Sequence, residues 1–204
     1  MLSLFDQNFN QEKNLLPYDG EVLYYGKILS QADATHTFQH LMKTIEWQND
    51  IVNIFGKEII TKRKMAWYGT SVYDYTYSNI TRRSLLLTKE LQELLGKVEE
   101  VSKENYNSCL LNLYHDGSEG MGYHSDDEKD MKEFGTIASL SLGAERKFSF
   151  KHKESKERID ILLEHGSLLL MKGETQKYWK HALPKSKKVI YPRINLTFRS
   201  IHLK

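Results

Sequence analysis

The chain has one cysteine and three prolines in 204 residues. A lone thiol excludes an internal disulfide framework, and Cys109, followed by Leu110 and Leu111, reads as a buried, inert side chain. So few prolines leave no room for a Pro-rich linker. No internal repeat is visible, and a single domain over 1–204 follows. No apolar run approaches the ~18 residues that a membrane-spanning helix needs, so no membrane partner is expected. The opening Met1-Leu2-Ser3-Leu4-Phe5-Asp6-Gln7 turns polar too soon for a secretory signal. A reducing cytoplasmic setting is therefore expected, or a nuclear one in a eukaryotic source. Net charge is scarce as well: 29 basic against 27 acidic residues give +2, so any surface for a polyanion must be local. Lys62-Arg63-Lys64, Arg82-Arg83, the run from Lys151 to Arg158 and Lys185-Ser186-Lys187-Lys188 are the candidates, each also readable as a solvated loop.

What is present is a 40% hydrophobic chain with clear periodicity, enough for a sizeable core. Ser30 is placed to cap a helix from about Gln31 to Trp47, with Ala34, Phe38, Leu41, Met42 and Ile45 as its apolar stripe. A second helix is expected from about Thr88 to Val101, with Leu91, Leu94, Leu95, Val98 and Val101 facing inward. Gly20 to Gly26 reads as an early strand, and from Asn107 onward short strand patterns dominate. Helices first and strands later indicate an α+β protein.

The most chemical pattern is His124-Ser125-Asp126. On an extended segment residues two apart share a face, so one imidazole and one carboxylate can grip a single ion. His181, just before the extended Ala182-Leu183-Pro184, offers a third ligand. Two His and one carboxylate form the facial triad that holds non-haem Fe(II) with open coordination positions. His36 and His40 are four apart on the first helix but lack a third ligand nearby. In Arg193-Ile194-Asn195-Leu196-Thr197-Phe198-Arg199, polar and apolar residues alternate throughout. Such a segment is either a half-exposed surface strand or a pocket wall whose guanidiniums bind a small dicarboxylate. Asn112 and Tyr114 share a face of another strand and add an amide and a phenol.

Taken in order, Asn112-Leu113-Tyr114, His124-Ser125-Asp126-Asp127-Glu128, Ile137 to Gly143, His165-Gly166-Ser167-Leu168-Leu169, His181 and Pro192 to Arg199 resemble the AlkB family of Fe(II)- and 2-oxoglutarate-dependent dioxygenases, nearest its branch that repairs alkylated nucleic acid. The resemblance is densest from about 105 to 201 and reaches loosely back to about 55. It implies a double-stranded β-helix (jelly-roll) core over about 105–201, with the N-terminal helices packed on it. It implies His124, Asp126 and His181 as the catalytic iron ligands. Arg193 with Tyr114 would hold the distal carboxylate of 2-oxoglutarate, while Asn112, Asn195 and Arg199 would serve its proximal end and the metal's surroundings. In that chemistry Fe(II), 2-oxoglutarate and O2 hydroxylate a methyl group on a base nitrogen, giving succinate, CO2, formaldehyde and the restored base.

The resemblance also makes 57–87 a nucleotide-recognition lid. Basic Lys62, Arg63 and Lys64 interleave there with Trp67, Tyr68, Tyr73, Tyr75 and Tyr77, so rings can stack on a base while cations hold its backbone. An ordinary aromatic hairpin packed on a sheet would show the same pattern. Arg63, Trp67, Tyr68, Tyr75, Tyr77 and Glu128 are the substrate-binding candidates, Glu128 as an acceptor for an exocyclic amino group. Asp127 is expected to point away. The target base must be flipped out or already single-stranded. The expected partner is alkylated DNA of either strand state, with RNA as a second candidate, and the enzyme is expected to be a monomer. Two other functions fit the same residues: this chemistry on a modified RNA or a protein side chain, and a binding module that only retains the pocket.

Overall fold

The computed structural model describes residues 13–54, 57–77 and 80–202, without the side chains of 52–54, 57–58, 75–77 and 80–82. In chain order the elements are β1 (Glu21–Lys27), α1 (Gln31–Thr44), β2 (Gln48–Ile54), β3 (Lys57–Gly69), β4 (Asp74–Tyr77), β5 (Ile80–Arg83), β6 (Leu85–Leu86), α2 (Lys89–Ser102), β7 (Ser108–Tyr114), β8 (Met121–His124), β9 (Ile137–Gly143), β10 (Arg146–His152), β11 (Arg158–Leu163), β12 (Ser167–Lys172), α3 (Thr175–Tyr178), β13 (Trp179–Leu183) and β14 (Arg193–Arg199). The larger sheet runs β1-β12-β9-β14-β7-β3-β2, with β6 beside β3. The smaller runs β11-β10-β13-β8, and β4 and β5 form a separate hairpin.

Every pairing but β3 with β6 is antiparallel, and the two larger sheets face each other across a shared apolar cluster. This is the jelly-roll expected from the sequence. Tyr24, Tyr114, Leu169 and Met171 enter that cluster from the larger sheet, and Phe148, Phe150, Trp179 and Leu183 from the smaller. The opposite face of the larger sheet is covered by the helices, where Leu41, Leu91, Leu94 and Val98 pack with Leu111, Leu140, Leu196 and Phe198.

Both helices start where capping chemistry places them. The Ser30 hydroxyl accepts from the Asp33 amide at 3.1 Å and the Thr88 hydroxyl from the Leu91 amide at 3.3 Å, each bond contributing about 1 kcal/mol. The first helix ends at Thr44, not at Trp47, because Ile45 turns extended (ψ 136°) and buries its own side chain as the chain enters β2. The second ends at Lys103 in the left-handed region (φ 59°).

The first third of the chain contributes more sheet than expected. Strand β1 closes one edge against β12, and Lys64 to Gly69 of β3 pairs with β7. Lys64 to Gly69, a part of the segment read as a lid, is therefore a strand of the larger sheet. Its alternate residues Ala66 and Tyr68 join the helix-side core, while Met65 and Trp67 form a separate small cluster with Leu110 and Ile201. Strand β2 forms the edge of the larger sheet beyond β3, and the β4–β5 hairpin lies outside both larger sheets.

Candidate metal and co-substrate centre

Antiparallel pairing of β8 with β13 sets His124 directly opposite His181. Asp126 follows two residues after β8 ends, and its amide donates to Gln176 Oε1 at 2.9 Å, which fixes the turn. Ser125 donates to the Trp179 carbonyl across the same junction at 3.2 Å. The two imidazole rings meet edge to face, 4.2 Å between centroids. Asp126 Oδ1 lies 3.5 Å from His124 Nε2 and 3.8 Å from His181 Nε2, and the three ligand atoms fall within 4.8 Å of one another. Among the described residues no other group of His, Cys, Asp and Glu does this.

The protonation states suit a cation. His124 Nδ1 lies 2.9 Å from the Gly122 carbonyl, so a proton there is satisfied and the Nε2 lone pair is left for an ion. Burial pushes His181 down to about 3, helped by the nearby charges of His124 and Arg199 and opposed by Asp126. This imidazole is neutral at pH 7. Burial also works against a charge on His124, but the hydrogen bond and charge of Asp126 outweigh it and raise its pKa. Asp126 is buried, which alone would raise its pKa. Arg199 and the two imidazoles reverse this and hold the carboxyl below its ordinary range. Arg199 Nη2 donates to Asp126 Oδ2 at 2.8 Å, and its Nη1 lies 3.5 Å from Glu128 Oε1. The guanidinium of Arg199 thus orients the triad carboxylate, in the surroundings of the metal.

Away from the clasp the same cavity is lined by Arg193 and Tyr114, with Asn195 and Asn112 between them and the metal end. The register explains the grouping: on adjacent strands Arg193 sits opposite Tyr114 and Asn195 opposite Asn112, with Gly143 and Ser141 across the other side of β14. Gly143 adopts φ +87°, and a Cβ there would collide with the Pro192 carbonyl and the Phe38 ring. Only glycine lets β14 begin this close to β9. Arg193 is 2% exposed and donates from Nη2 to Ser141 Oγ at 2.8 Å and Asn195 Oδ1 at 2.7 Å. Its guanidinium stands 5.7 Å from the Tyr114 ring centre. No carboxylate pairs with it among the described residues, and its Nε has no partner. Burial, with the charge of Arg146, lowers its pKa to about 10 against the opposing influence of Tyr114, so it stays protonated. A buried cation without an anion, some way from a His-Asp-His clasp, fits a dicarboxylate that chelates the metal at one end and meets Arg193 at the other. The donor set therefore fits both Fe(II) and 2-oxoglutarate.

The substrate-binding candidates divide. Arg63 does line the cavity, held by a buried ion pair with Asp50 and lying against Met121. Trp67 and Tyr68 do not line it. Trp67 is buried and donates to Tyr73 Oη at 2.8 Å and Ser108 Oγ at 3.0 Å, while Tyr68 sits in the helix-side core and accepts from the Glu46 amide. Tyr75 and Tyr77 belong to β4, paired with Arg82 and Ile80, but their side chains lie outside the described residues. Glu128 reaches the metal's surroundings through Arg199. Burial raises its pKa, and Asp126 adds to this while Arg199 opposes it. Asp127 is exposed, as expected.

Sequence reasoning missed Asp50, Ser139, Ser141 and Gln176. The two serines share the inward period of β9, a signal that was there to read. Asp50 sits at a register shift between Asn49 and Ile51, where a bulge breaks the alternation that would have announced it.

The sequence profile of the 2OG-Fe(II) oxygenase superfamily matches residues 21–199. A human protein named "DNA oxidative demethylase ALKBH2" is 37% identical over 190 residues, covering 88% of this chain and 73% of its own length. The human "Alpha-ketoglutarate-dependent dioxygenase alkB homolog 3" is 39% identical over 194 residues, covering 89% of this chain and 66% of its own length. A solved structure titled "The structure of OsALKBH1" superposes with a TM-score of 0.65 at 17% identity, over 88% of this chain and 97% of that one, which supports the fold. With the triad, the buried arginine and the jelly-roll already in place, the chain belongs to the 2OG-Fe(II) oxygenase superfamily and, within it, to the AlkB family.

Proposed function

We propose that the protein is an oxidative demethylase of alkylated DNA bases, of the 1-methyladenine and 3-methylcytosine type. The observation that carries this reading is one cavity with a His-Asp-His clasp at one end and an anion-free buried guanidinium at the other. The name of one relative, a DNA oxidative demethylase, supplies the substrate class. In this reading His124, Asp126 and His181 hold Fe(II), which with 2-oxoglutarate and O2 supplies the oxidising power for hydroxylating an N-methyl group. Arg193 and Tyr114 bind the distal carboxylate of 2-oxoglutarate. Asn112 and Asn195 shape the cavity wall between the ends. Arg199 keeps Asp126 ionised and aimed, so the ligand set is preorganised before any ion arrives.

The substrate base enters from the side framed by β2–β3 and the β4–β5 hairpin, where Tyr75, Tyr77 and Arg63 are the recognition candidates and Glu128 the acceptor for an amino group. Such a narrow buried site takes a base only from outside the stack. The test is succinate and formaldehyde release with Fe(II), 2-oxoglutarate and O2, scored on methylated and unmethylated, single- and double-stranded DNA and RNA. Methyl-dependent formaldehyde from DNA is the expected result. Turnover of methylated RNA alone would move the substrate to RNA, and no methyl-dependent turnover of any nucleic acid would overturn the reading.

A further inference from the structure

Arg146 is buried (1% exposed) at the start of β10 and does not line the cavity. Its guanidinium is spent on backbone: Nη2 donates to the carbonyls of Glu119 at 2.9 Å and Pro184 at 2.8 Å, and Nη1 to that of Asp116 at 3.3 Å. It makes no ion pair with a carboxylate among the described residues, and its Nε has no partner. Its direct partners are all neutral carbonyls, with the charges of Asp116 and Glu119 near but not paired to it, and such a buried cation is costly unless its charge is used. It stands 6.0 Å from the centre of the Tyr114 ring, which Arg193 also approaches at 5.7 Å. Two guanidiniums without carboxylate partners therefore flank one phenol at the end of the cavity away from the metal clasp. Like charges this close repel, and that repulsion is part of what depresses Arg193. An anion arriving between them would relieve it.

We propose that Arg146 is a positioning residue for the co-substrate, a second cation that acts through Tyr114 and Arg193 to favour a carboxylate at the distal end. The inference rests on the reading of Arg193 and Tyr114 given above. Charge at this position, more than the loop bracing, adds to the preference that Arg193 sets for a dicarboxylate over a 2-oxo acid that lacks the distal group.

The test is calorimetric binding to the Mn(II)-loaded, full-length protein without O2, so that no turnover is needed. The ligands are 2-oxoglutarate and 2-oxopentanoate, which keeps the chelating end and lacks the distal carboxylate. Arg146→Gln retains a donor for the carbonyls and removes the charge. It is expected to weaken 2-oxoglutarate about 10-fold, a loss of ~1.4 kcal/mol, while leaving 2-oxopentanoate and Mn(II) affinity unchanged. Arg146→Lys retains the charge and is expected to stay within about 3-fold of the wild type for both ligands. Equal weakening of both ligands by Arg146→Gln would reduce the residue to a brace and overturn the proposal, as would a Lys variant no better than the Gln variant. If the wild type itself preferred neither ligand, the placement of the distal carboxylate would fall instead, and this inference with it.

Discussion

The two faces of the larger sheet are built from the same strands and do opposite work. Toward the helices, β14 presents Ile194, Leu196 and Phe198, each fully buried among leucines. Toward the smaller sheet the same strand presents Arg193, Asn195, Thr197 and Arg199, of which both arginines are nearly as buried. Burial therefore does not separate the faces; what each side chain meets does. The helix side is closed by packing and holds the fold. The cavity side keeps charge in a dry place, a cost that makes sense for binding ions.

The largest contrast should come from His181→Ala, which is expected to remove detectable turnover and tight Mn(II) binding. Its urea midpoint should change little in the metal-free state, and retained metal-dependent activity would break the assignment of the cavity face. On the opposite face, Phe198→Ala should cost about 3–5 kcal/mol of stability in urea denaturation while the folded fraction keeps the wild-type affinity for 2-oxoglutarate. Arg193→Met should weaken 2-oxoglutarate by about 100-fold, within the ~2–5 kcal/mol of a buried charged contact, without lowering the melting temperature, because an unpaired buried cation is lost with it. A clear drop in melting temperature would place Arg193 among the structural residues.

Smaller effects sharpen the picture inside the cavity. Gln176→Leu should lower Mn(II) affinity about 10-fold, since the Asp126 amide loses its acceptor. Acid should expose His181. Its folded value of about 3 lies below the ordinary 6.5, so between these limits the unfolded chain binds a proton that the folded one does not. Its contribution to stability is complete above about pH 6.5 and declines by about 1.4 kcal/mol per unit as pH falls toward 3. His124 is shifted upward, and its contribution is complete below its ordinary value and lost as pH rises through the folded one. Urea titrations of the metal-free protein at pH 7 and pH 5 should show the first slope, and His181→Asn should flatten it.

Much of this was legible in the sequence, for identifiable reasons. The alternation of β14 announced its two faces, because the period of a strand is two and both halves of the pattern were chemically pure. Ser30 marked the first helix start by local capping, whereas Thr88, read as the first residue of the second helix, is its cap. His124, Asp126 and His181 were found by residue type, though their meeting depends on a cross-strand register that no local pattern encodes. Trp67 and Tyr68 lie away from the cavity, and the sequence does not show it because aromatic and basic residues interleave equally on a recognition loop and on a strand packed on both faces. The partners of β3 decide between the two, and they lie more than forty residues away on β7.

One consequence follows from the position of β8. It is a four-residue strand at the edge of the smaller sheet, with a register slip in its pairing to β13. So short a margin rests on the His124–His181 and Met121–Leu183 pairings and on the bonds of Ser125 and Asp126 to Trp179 and Gln176. A cation clasped there acts as a rivet through both strands and the loop carrying Asp126. Amide hydrogen exchange at 121–126 should slow sharply on metal loading while the strands behind stay protected in either state, so the edge of the sheet itself would report whether the enzyme is armed.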